Sequence, residues 1–142
     1  MSSPVSDADI ERIARGLIDR TLPKSGWTHA AHFAAAFWLL RHRGEAAFDE
    51  MPPLIRAYNE STGVANTDSG GYHETITLAS LRLARAWLAE RSGVPLHAAL
   101  AELLAGPYGR SDWPLAYWSR ERLFSVAARR SWVEPDLRSF TC

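Results

Sequence analysis

Residues 27–42 read WTHAAHFAAAFWLLRH, and this stretch decides the fold class. It is rich in alanine and aromatics and shows none of the strict alternation of a half-buried strand. Ser25-Gly26-Trp27-Thr28 before it offers a helix start. Gly44 after it supplies a stop, with Arg41, His42 and Arg43 in the last turn, where cations suit the negative end of the helix dipole.

The same helical periodicity extends in both directions. Upstream, Ser6 is a good N-cap, with Asp7 and Asp9 in the first turn. Ile10, Ile13, Ala14, Leu17 and Ile18 then form one apolar stripe, which Leu22-Pro23 ends. Downstream, Glu45 to Thr62 holds helical register through Pro52-Pro53, so one kinked helix or two short coaxial ones are expected. GVANTDSGG, residues 63–71, is a loop by composition. Tyr72 to Arg91 is apolar on two sides and is expected to be the central helix. A short helix, His97 to Ala105, follows Pro95 and closes at Gly106-Pro107. From Tyr108 onward, aromatics are spread among charges, with short helices expected around 114–124 and 126–132. The fold class is therefore all-α: a four-helix-type bundle with short C-terminal helices strapped across it, in a single domain spanning residues 1–142.

Composition narrows the function. At 142 residues the chain suits one domain, and its 46% hydrophobic content can fill a core without staples. Sixteen basic and sixteen acidic residues balance to +0, which argues against nucleic acid or an acidic membrane surface as the partner. The single cysteine, Cys142, rules out an intrachain disulfide framework and a cysteine-based zinc knuckle. The opening MSSPVSDADIER carries acids where a secretory leader needs a basic and then an apolar run, so a cytoplasmic location is expected.

Candidate chemistry lies in the histidines. His29 and His32 are three apart at the start of one helix, on a face that continues as Ala36 and Leu40. His73 opens another stripe, through Ile76, Ser80, Leu83 and Trp87. Both faces are expected to point inward, and both sites follow a turn-rich loop. If the two helix starts meet, three imidazoles converge, and the helix dipoles keep them neutral and able to coordinate. The expected site is a divalent ion held by His29, His32 and His73, with Glu74 as a fourth ligand, a partner orienting a histidine, or a general base on metal-bound water. Zinc or nickel is the expected metal, with iron or manganese as alternatives. The bland reading is three hydrogen-bonded core histidines served by Asn59, Asn66, Asp68, Glu74 or Thr77, with Glu74 capping its own helix.

His73-Glu74-Thr75-Ile76-Thr77 falls short of the zinc-protease H-E-x-x-H helix, because Thr77 stands where the second histidine is needed. Tyr72 reads as a packing tyrosine, Asp68 and Ser69 as turn formers, and His42 and His97 as surface or boundary residues. The resulting expectation is a metal-dependent enzyme, hydrolytic or group-transferring. The alternative is a non-catalytic protein that binds a small ligand or forms a homodimer through its tryptophan-rich tail.

The strings W-T-H-x-x-H, Y-N-E-x-T-G, G-Y-H-E-T-I-T, Y-W-S-R-E-R-L-F-S and W-V-E-P-D-L run from Leu22 to Leu137. They resemble an uncharacterised family of small bacterial helical proteins, G-Y-H-E-T-I-T being the most specific. More loosely, the layout is similar to the DinB/YfiT-like metal-binding four-helix bundles. That likeness implies three histidine ligands for zinc or nickel, and no particular reaction.

Overall fold

The computed structural model describes residues 4–142; residues 1–3, part of the opening behind the cytoplasmic expectation, lie outside them. Every regular element among the described residues is helical. Helix α1 (Asp7–Asp19) is capped as its sequence predicts, Ser6 Oγ accepting the Asp9 N–H at 3.1 Å. It ends on Arg20, a non-glycine residue at φ 61°, whose N–H reaches the Gly16 and Leu17 carbonyls.

Helix α2 (His29–Arg43) starts on Thr28, whose hydroxyl accepts the Ala31 N–H, and ends at Gly44 with φ 57°. Ala31 and the unbroken run Phe33 to Leu39 are buried. Helix α3 (Ala47–Ser61) passes Pro52-Pro53 without interruption. The prolines leave the Phe48 and Asp49 carbonyls without their i+4 donors. Helix α4 spans Glu74–Ala89, and α5 spans Leu96–Ala105, entered through Pro95.

The central position expected of α4 belongs to α2, which packs against α1, α3, α4 and α5. Ala31, Ala34, Ala35 and Ala36 let neighbouring helices approach closely on several sides, with Phe33, Phe37 and Leu39 filling the spaces between them. Helix α4 keeps a wet side, on which Arg85 meets Glu45 at 2.9 Å.

Beyond α5, 3-10 turns at Pro107–Gly109 and Trp113–Ala116 lead to α6 (Arg120–Leu123) and α7 (Val126–Arg130). Ser119 and Ser125 cap these two short helices. Such short helices depend on tertiary contacts. Thr75 Oγ1, on α4, lies 2.7 Å from the Ala128 carbonyl and 2.8 Å from that of Ser131, and accepts the Val133 N–H. Trp118 is fully buried, donates its indole N–H to the Val133 carbonyl at 2.9 Å, and meets Trp132 edge to face. No helix among the described residues is long and apolar enough to cross a membrane.

Candidate functional site

The starts of α2 and α4 do meet. Trp27 and His32 from one, and Tyr72, His73 and Thr77 from the other, line a cleft of 380 Å³ that Ile55 and Asn59 of α3 complete. Its outer wall is the loop between α3 and α4, and Asn66 organises that loop. The Asn66 side-chain oxygen accepts the Tyr72 N–H and an Asn59 amide hydrogen, each at 3.0 Å; its own amide donates to the Arg56 carbonyl. Gly71, at φ 79°, is required here, because a Cβ would overlap the Ala65 carbonyl oxygen. From the tail, Arg130 grips Asp68 with two bonds of 2.8 and 2.7 Å, and Arg129 donates to the Gly71 and Tyr72 carbonyls.

The four residues expected at a metal have different surroundings. His73 is the N-cap of α4: Nδ1 accepts the Ile76 N–H at 3.2 Å, and Nε2–H donates to the Leu123 carbonyl at 2.6 Å. Both ring nitrogens are thus engaged, which fixes the neutral Nε2–H tautomer. Burial, then the neighbouring Arg129 charge, hold its pKa below the ordinary value. His29 donates from Nε2 to the Tyr108 carbonyl at 2.8 Å and meets Phe33 edge to face.

Glu74 is the first residue of α4, directly after His73, which takes the capping position. Its carboxylate accepts the Tyr72 hydroxyl at 2.5 Å. Burial and that bond push the Tyr72 pKa upward, so the phenol stays protonated.

His32 differs from the other two. Its ring stacks on Trp27 with centroids 4.3 Å apart, and neither nitrogen has a hydrogen-bond partner among the described residues. Burial, reinforced by His29, pushes its pKa down to about 4. At neutral pH it presents one N–H donor and one lone pair, both available.

His32 and His73 therefore share the cleft, while His29 and Glu74 are engaged elsewhere. Among the described residues, no group of three or more His, Cys, Asp or Glu side chains is placed to hold a metal ion. The sequence hints at Asn66, which sits in the turn-rich loop. It gives no hint of Trp27 as a stacking wall or of the Leu123 carbonyl as a partner for His73. Comparison with protein-family models, curated proteins and solved structures yields no match for this chain.

Proposed function

We propose that the cleft between α2, α3 and α4 binds a small, neutral, planar molecule with an N–H donor beside a carbonyl or ring-nitrogen acceptor, as in a cyclic amide. One observation carries this reading: a neutral, unpartnered His32 stacked on Trp27 in a cleft whose other titratable groups are satisfied. His32 is half-buried and its ring nitrogens keep contact with solvent through the cleft, so a matching ligand replaces water at both. The volume and the mixed aromatic and polar lining suit a small molecule. The side chains that line the cleft are uncharged, with the nearest charges on Arg56, against the Tyr72 ring, and Arg129, so a neutral ligand is favoured.

The supporting fold we read as a bundle of α1–α4 with the short C-terminal helices strapped across it. The bonds from Thr75 and His73 to the tail support this arrangement. A divalent ion in the same cleft would require His29 and His73 to release their carbonyl partners, so the hydrogen-bonding role is the better supported.

Calorimetric titration with 2-pyridone and uracil, run beside a zinc titration, tests the proposal. Expected are one-to-one binding of a cyclic amide and an affinity loss of about tenfold or more in His32→Phe, which keeps a ring and removes both nitrogens. Equal binding by His32→Phe, or no amide binding at millimolar concentration, overturns it. Stoichiometric zinc uptake lost in His29→Ala, His32→Ala and His73→Ala alike would return the site to the metal reading.

A further inference from the structure

A second cleft, of 340 Å³, lies where the tail folds back beside α5, and its chemistry differs from that of the first. Tyr108, Trp113 and Tyr117 form its walls, and Arg110, Asp112 and Arg138 its polar rim. The rings stand edge to face: Tyr108 and Trp113 at 5.5 Å and 82°, Trp113 and Tyr117 at 6.1 Å and 76°. Phe140 also packs against Trp113 and Tyr117, at 5.9 and 5.2 Å, and the resulting aromatic cluster offers a wall on which another ring packs better than an aliphatic chain.

The hydrogen-bonding inventory is one-sided. The two phenol hydroxyls touch at 3.4 Å, which uses one of their two hydrogens and leaves the other. The Trp113 indole N–H has no partner among the described residues. Asp112 is the one carboxylate on the rim, and Arg110 already holds both its oxygens, at 3.0 and 3.2 Å. Arg138 pairs with no carboxylate among the described residues. Its place is nonetheless fixed: the Leu137 and Arg138 backbone N–H groups donate to the Tyr117 carbonyl, and its guanidinium carbon sits 5.0 Å from the Tyr117 ring centre. A positioned cation, a spare phenol hydrogen and an indole N–H together form a donor set that lacks an acceptor. A planar carboxylate matches an arginine fork in just this way.

We propose that this cleft is a binding site for a small aromatic carboxylate, its ring packed against Tyr108, Trp113 and Tyr117 and its charge on Arg138. The site is independent of the His32 cleft in both residues and ligand charge.

The test is titration of the ¹⁵N-labelled full chain, read at the tryptophan indole N–H signals, with three probes: benzoate, acetate and benzyl alcohol. Benzoate is expected to shift the Trp113 signal saturably, while acetate (charge without ring) and benzyl alcohol (ring without charge) leave it in place. Arg138→Ala, at an exposed position, should weaken benzoate about tenfold, with Arg138→Lys in between. His32→Phe should leave benzoate binding unchanged. The proposal is overturned if benzoate fails to saturate, if acetate or benzyl alcohol matches it, if Arg138→Ala binds like the parent, or if His32→Phe abolishes the shift.

Discussion

Acidification reports directly on His32, and its effect on stability follows from the structure. The ring titrates at its ordinary value of 6.5 in the unfolded chain and at about 4 in the folded one, because burial disfavours the charged form. Between those values the unfolded chain holds a proton that the folded chain lacks, so stability is full above 6.5 and falls as the pH drops. At ~1.36 kcal/mol per pH unit, the loss at about pH 4.5 comes to roughly 2.5 kcal/mol. For a domain of this size that is a substantial part of the whole. His73, shifted in the same direction, adds to the loss. Asp7, Asp112 and Asp136 have depressed values; their contribution persists above the ordinary 3.8 and goes only at lower pH, so they leave this window undisturbed. Urea denaturation of the parent and of His32→Gln, compared at neutral pH and near pH 4.5, isolates the effect, since only the difference between the two pH values matters. The parent should lose about 2.5 kcal/mol more than the variant. Parallel losses in the two proteins would refute the burial and neutrality assigned to this ring.

Three further substitutions probe the surroundings. Thr75→Val keeps shape but strands the Ala128 and Ser131 carbonyls and the Val133 N–H; it should cost about 2–3 kcal/mol in urea denaturation and speed amide exchange in the tail. Arg20→Gly should stabilise the chain by about 0.5–1 kcal/mol, read as a raised Tm, since Arg20 is exposed and occupies the left-handed region at φ 61°. Gly71→Ala forces a Cβ onto the Ala65 carbonyl at a positive φ; a loss of about 2 kcal/mol and of cyclic-amide binding is expected, measured by denaturation and calorimetry.

The elements that read correctly from the sequence are those stabilised by neighbours close along the chain. Ser6 and the stripe of α1, the Thr28 and Gly44 boundaries of α2, and the α3–α4 loop all use local signals. The surroundings of the histidines did not follow from spacing alone. Residues three apart on a helix point about 60° away from each other, enough for His29 to reach Tyr108 while His32 lies on Trp27. His73 was legible as the opening of α4 and as a cleft residue. Its capping role was not, because an imidazole seldom takes the place of serine or asparagine. The burial of α2 on every side also escaped a periodicity argument: a helix with alanines and aromatics all round has no stripe to detect. The docking of α6 and α7 rests on Thr75 and His73, partners 50 to 58 residues away, with no local sign in either segment.

The central claim is that His32 is the free, neutral ring through which the cleft recognises its ligand. Histidine-selective ¹⁵N NMR during titration with 2-pyridone tests it most directly, because each ring nitrogen reports its own proton and partner. At neutral pH only the two His32 nitrogens are expected to shift on binding, saturating at one equivalent, while His73 keeps its Nε2–H tautomer. A silent His32, or a His73 ring that changes tautomer with it, would contradict the account.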